Sequence, residues 1–161
     1  MSPYDRSPAP IGADSGAVGD TPSPSPRMPR VLIVEDQALI ALSLAADLSA
    51  MHCDVIGRAA TGEAAVEFAR RHAPDIVVMD VQLAGRMDGV EAAQRIKAEC
   101  APRIIFVTAY ADGPDRPRME AIRPAAILGK PYHPNELNLA VNVSGRQRIR
   151  RQMQFAVAAG D

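Results

Sequence analysis

Tryptophan is absent from the 161-residue chain, and only three Phe and three Tyr are present, so the core must be aliphatic. Two cysteines, Cys53 and Cys100, stand far apart. That excludes a disulfide framework and points to reduced, cytoplasmic surroundings. Neither sign of charge dominates: the formal net charge is −1, which gives no electrostatic case for nucleic acid or a membrane as main partner. No apolar run approaches the roughly 18 residues that span a bilayer. The N-terminus lacks a charged-then-apolar signal pattern. The expectation is a cytoplasmic protein outside the membrane, secreted and disulfide-rich classes.

What is present suits one globular domain with unlike ends. Apolar residues make up 47% and charged residues 23%, ordinary soluble usage. Seven of the 14 prolines fall in the first 29 residues, among Gly, Ser and Asp. Large apolar residues there are single (Tyr4, Ile11, Met28). Such a segment buries too little surface to offset its ordering entropy, so residues 1–29 read as a disordered extension.

From Arg30 the texture changes. Val31 to Val34 is a short β-branched run stopping at an acidic pair, as a fully buried strand would. Residues 37–51 place Ile40, Leu44 and Leu48 at helical spacing. Residues 54–57 read as a second strand, and Thr61 as the cap of a helix ended by Ala73-Pro74. Residues 75–80 are a third apolar run. Asp88-Gly89 opens a helix carrying Val90, Ala93, Ile96 and Cys100 on one side. Residues 103–108 and 125–129 are the fourth and fifth strands, and a last helix runs from about Pro134 to about Gln154. Between the last two strands, Pro114 and Pro117 predict a helix that is short, displaced or mobile. Five strands alternating with helices specify a doubly wound α/β fold with a parallel sheet.

Ligands of open parallel sheets bind outside the carboxyl ends of the strands. Those ends are Glu35-Asp36, Asp80, Thr108 and Lys130. Singly, an acid after a strand is a helix cap and a lysine before proline is surface. Convergence of all five on one rim is what that reading does not explain. Three carboxylates together repel, and a hard divalent cation, best Mg²⁺, relieves them. An ionised carboxylate can then accept a phosphoryl group, with cation, ammonium and hydroxyl each serving one phosphoryl oxygen.

The runs "VLIVED", "PDIVVMDVQL…DG", "IIFVTAY" and "GKPY" make residues 30–143 resemble the receiver domains of bacterial two-component response regulators. The resemblance implies a flavodoxin-like (CheY-like) five-stranded sheet in the order 2-1-3-4-5. It implies that Asp80 is the phosphoacceptor, with Thr108 and Lys130 on the phosphoryl oxygens. Mg²⁺ would be held by Asp80, by Asp36 directly, by Glu35 through water and by the Gln82 backbone carbonyl. Lys130-Pro131 would be cis. The phosphodonor would be a sensor histidine kinase or a histidine phosphotransfer protein, and an unknown downstream protein would read the result.

Three features depart from the family pattern. The loop after Asp80 is one residue longer and lacks its proline. Ile127 stands where many receivers have a switching aromatic. The Pro-broken segment 112–124 undermines the usual fourth helix. With residues 106–110 it is similar to the "FAT GUY" subset of stand-alone receivers, from which Val107 and Ala109 depart. Tyr110 and Ile127 are the candidate switch positions, Ile127 without the aromatic coupling of the usual form.

After Val143 four arginines fall within residues 146–151. They read as the solvated end of the last helix, favourable to its dipole, over 144–161. No output domain fits in those residues, so the expectation is a stand-alone regulator working through protein contacts or as a phosphate sink. Two other classes compete. A Mg²⁺-dependent phosphatase would need a second acid two residues after the nucleophile, where Gln82 stands. A receiver-like module that binds without phosphate would have lost a site residue, and none is missing.

Overall fold

A computed structural model describes residues 27–142. Of the extension expected to be disordered over residues 1–29, residues 1–26 lie outside the described residues, as does the basic continuation over 144–161. Within them the chain alternates strand and helix throughout: β1 (Arg30–Val34), α1 (Ala38–Ala50), β2 (Asp54–Ala59), α2 (Gly62–His72), β3 (Ile76–Met79), α3 (Gly89–Glu99), β4 (Arg103–Thr108), α4 (Arg116–Ala121) and β5 (Ala126–Gly129). A further helix, α5, begins at residue 134 and is described to residue 142. All strand pairs are parallel and the order is β2-β1-β3-β4-β5, as expected.

Alternation along each central strand sends successive side chains to opposite faces. Leu32, Val34, Val77, Met79, Ile104 and Phe106 pack with α2, α3 and Met119 of α4. Val31, Ile33, Ile76, Val78, Ile105 and Val107 pack with α1 and with Leu137, Ala140 and Val141 of α5. Two covered faces explain why these strands read as unbroken apolar runs. A single Phe among the fully buried side chains bears out the aliphatic core.

Strand boundaries shift from expectation by one or two residues: β1 starts one residue early, at Arg30, and β3 is Ile76–Met79 within the expected 75–80. β2 continues two residues past Gly57, because an edge strand tolerates the exposed Arg58. Gly57 itself lies flat under the Phe68 ring, where a Cβ would stand 2.2 Å from the ring carbon Cζ. At the other edge β5 starts one residue late, at Ala126.

α4 is short, as the prolines require, but it is docked at both ends. Pro117 falls in its first turn, where the missing N–H costs nothing. Lys97 Nζ donates to the carbonyls of Ile122 and Arg123 at its C-terminal end. Arg118 reaches Asp88 at 2.9 Å. Contacts with the domain also begin before Arg30: Arg27 pairs with Asp75 at 3.0 Å, and the Pro29 carbonyl accepts from the Asp54 N–H at 2.9 Å. Among the described residues no helix is long and apolar enough to cross a membrane.

Candidate functional site

Two strand ends and one turn build the acidic rim. β1 delivers Glu35 and Asp36, β3 delivers Asp80, and the turn after β5 delivers Lys130. Each of Glu35, Asp36 and Asp80 offers a carboxylate oxygen within 4.8 Å of the others. Glu35 and Asp80 are buried, whereas Asp36 is exposed, so the group is open to water on one side. Lys130 Nζ lies between the two buried acids, 2.6 Å from Glu35 Oε2 and 2.7 Å from Asp80 Oδ2. One ammonium thus faces two buried carboxylates and leaves local negative charge uncompensated, the condition a hard divalent cation relieves.

Neither Asp36 nor Asp80 is a helix cap. The cap position of α1 is Gln37, with no side-chain cap bond, and that of α3 is Asp88, whose carboxylate accepts from the Glu91 N–H at 2.8 Å. Glu35 instead accepts from the Gln37 N–H at 3.1 Å, and Asp80 from the Gln82 N–H at 3.3 Å. Burial pushes the Glu35 carboxyl above the usual range, against the pull of Lys130 and the Gln37 N–H. Burial alone would lower Lys130, but its bonds to Asp80 and Glu35 outweigh that and hold the ammonium above the ordinary lysine value.

Thr108 closes β4 and is wholly buried. Its hydroxyl accepts from the Tyr110 N–H at 3.3 Å, and its carbonyl accepts from the Lys130 N–H at 2.9 Å. Tyr110 is half exposed beside it. Ile127 is half-buried against the α3 side of the core. Gln82 is exposed, one residue beyond the buried Val81. The Lys130-Pro131 peptide is cis.

The long loop after Asp80 is braced from α2. Gly85 takes its turn at φ +105°, and Thr61 bridges Ala84. Glu63 Oε1 accepts from the Arg86 N–H at 3.2 Å. Backbone N–H groups, its own first and then those of Arg86 and Met87, hold the Glu63 carboxyl below the usual range. Below the loop Gly89 is pressed on the carboxyl end of β3: a Cβ there would lie 1.8 Å from the Asp80 carbonyl oxygen. Sequence reasoning missed Glu63, because an acid in a first helical turn signals only a favourable dipole. It also missed the Tyr132–Asp47 bond of 2.8 Å, which joins residues 85 apart. His52, His72 and His133 take no part in the acidic group.

Comparison with known proteins agrees with this geometry. The model for the response regulator receiver domain matches residues 31–142. The transcriptional regulatory protein PdtaR of Mycobacterium tuberculosis is 37% identical over 133 residues, which are 81% of this chain and 62% of that protein. The phyllosphere-induced regulator PhyR of Methylorubrum extorquens is 32% identical over 114 residues, 70% of this chain and 42% of that protein. Among solved structures, the signal receiver domain of a modulated diguanylate cyclase from Desulfovibrio desulfuricans superimposes with a TM-score of 0.72 at 35% identity. It covers 77% of this chain and 98% of that domain. The chain therefore spans about three-fifths of PdtaR (62%) and less of PhyR.

Proposed function

Because the chain belongs to the response regulator receiver family, we propose that it accepts a phosphoryl group from a phosphohistidine onto Asp80 and signals through altered protein contacts. The observation that carries this reading is the Lys130 ammonium lying between two buried carboxylates beside an exposed third. In the transfer the N–P bond of the donor breaks and an O–P bond to Asp80 forms. The electron pair stays on the imidazole nitrogen, and the ionised carboxylate surrenders no proton. Lys130 and the Thr108 hydroxyl take two phosphoryl oxygens. Asp80, Asp36, the Gln82 carbonyl and, through water, Glu35 would hold Mg²⁺, which when bound neutralises charge on the transferring group. The donor is a sensor histidine kinase or histidine phosphotransfer protein. Free thiols at Cys53 and Cys100 support a reduced, cytoplasmic setting.

The reading treats residues 30–143 as the working unit, flanked by an N-terminal extension and a basic tail. It assigns no turnover beyond uptake and loss of the Asp80 phosphoryl group, since Gln82 supplies no second acid. Tyr110 is the switch: a Thr108 hydroxyl drawn to the phosphoryl group gives up the Tyr110 N–H, and the exposed ring must repack. Tyr110→Ala should leave phosphoryl uptake intact while removing the difference in partner binding between the two phosphorylation states, read by pull-down or calorimetry.

Intact mass after incubation with acetyl phosphate and Mg²⁺ tests the main reading. One phosphoryl adduct should form, decay with time, and vanish in Asp80→Asn and when the metal is chelated. No adduct on folded protein would replace this reading with a module that binds its partners without phosphate.

A further inference from the structure

Lys130 is fixed on its N-terminal side by the ladder, where its N–H donates to the Thr108 carbonyl at 2.9 Å. On its C-terminal side the next anchor is the side chain of Tyr132. The ring packs against the α1 side of the core, and the hydroxyl donates to Asp47 Oδ2 at 2.8 Å. The Ser43 hydroxyl, one turn before Asp47 on α1, also hydrogen-bonds with the Tyr132 hydroxyl. Asp47 is the sole charged residue among the 13 of α1 and is directed to this bond. The turn then closes with the His133 N–H donating to Glu136 Oε2 at 2.7 Å.

We propose that Tyr132 is a positioning residue: its hydroxyl, tied to Asp47, makes α1 the strut that holds the Lys130 turn so that the ammonium stays between Glu35 and Asp80. A lysine side chain has large rotamer entropy, and its aim depends on the backbone that carries it. Tethering the turn two residues later to a helix packed on the sheet removes the hinge from which the ammonium would swing. The proposal rests on the reading of Lys130 as a phosphoryl-binding residue.

The experiment compares Tyr132→Phe, Asp47→Ala, Asp47→Asn and the Tyr132→Phe/Asp47→Ala double variant in the full chain. Phosphoryl uptake from acetyl phosphate with Mg²⁺ and amide hydrogen exchange are both followed. A misaimed reacting group costs rate steeply, so Tyr132→Phe and Asp47→Ala should each slow uptake about five- to tenfold. The double variant should be no slower than Tyr132→Phe alone, because loss of the hydroxyl already breaks the bond that Asp47→Ala removes. Asp47→Asn keeps an acceptor oxygen and should retain the parent rate within about twofold. Exchange should quicken at the Lys130 and His133 amides and not in β1 or β3.

Unchanged uptake in Tyr132→Phe, additive slowing in the double variant, or faster exchange throughout the sheet would each overturn the strut. If the parent itself takes no phosphoryl group, the proposed function fails instead. Exchange then decides alone: quickening confined to Lys130 and His133 upholds the strut, and none refutes it.

Discussion

Gly89→Ala is expected to lower the thermal midpoint by roughly 10–20 °C, the equivalent of about 3 kcal/mol for a domain of this size. A Cβ at this position would stand 1.8 Å from the Asp80 carbonyl oxygen and 2.9 Å from the Val81 Cα. Both neighbours are backbone, so no rotamer change relieves the clash, and α3 must lift from the end of β3. Lifting it stretches the 2.8 Å bond from the Gly89 N–H to the Val81 carbonyl. Helix propensity works in the opposite direction, favouring alanine by about 1 kcal/mol, and is outweighed. Gly129→Ala is the natural control. Its Cβ would meet Ala111 Cβ at 3.6 Å, an ordinary contact, and the midpoint should barely move. Circular dichroism melts of both variants check the pair. Because the displaced backbone belongs to Asp80, Gly89→Ala should also slow phosphoryl uptake in whatever fraction remains folded.

Lys130→Met should be as severe for stability and far worse for chemistry. Removing one partner of a buried ion pair leaves the other charge stranded, at a cost of about 3 kcal/mol near neutral pH. Here two carboxylates are stranded together. Uptake of a phosphoryl group should fall about a hundredfold or more, since a preorganised cation at the transferring group is lost.

The pH dependence has a definite sign. The folded-state pKa of Glu35 is already raised above its ordinary value of 4.5 by burial, and Lys130 is among the groups holding that rise in check. Without the lysine it rises further. A raised carboxyl contributes stability below its unfolded pKa and loses it as pH climbs through the folded one. The deficit of Lys130→Met against the parent should therefore be greatest at neutral pH and shrink as pH falls towards 4.5. The lysine's own raised pKa puts the loss of its pairing in the parent only at alkaline pH. Urea denaturation of both proteins at pH 7.5 and pH 5 would reveal the narrowing. Added Mg²⁺ should stabilise the variant more than the parent, because it meets charge that no ammonium offsets.

Strand positions and the acidic rim were legible for one physical reason. Burial on both faces leaves β1, β3 and β4 no polar residue until the chain reaches the rim, so each run ends at its candidate site residue. Glu35, Asp80, Thr108 and Lys130 announce themselves as the first polar residues after apolar strands. The edges were less clear. Arg58 ended the apparent second strand, yet an edge strand can point a charge to solvent. The braces were not legible at all. Glu63 reaches Arg86 across 23 residues and Tyr132 reaches Asp47 across 85, and neither pair leaves a periodic mark in the sequence. Docking of α4 was equally hidden, since it rests on Lys97 and Arg118 meeting carbonyls and a carboxylate brought near only by the fold.

At the opposite pole the four described helix-to-strand returns share one habit. His52, Ala73, Ala101 and Arg123 all have positive φ without being glycine, and the last three are followed by proline. Side chains there carry a conformational cost of about 0.5–1 kcal/mol each against glycine, and proline keeps the residue before it from continuing the right-handed helix. That strain is set where strands begin, while the chemistry is set where they end. Durability and the proposed reactivity therefore occupy separate ends of one sheet, and the amino-edge turns are where an engineer can harden the domain without touching any residue of the acidic rim.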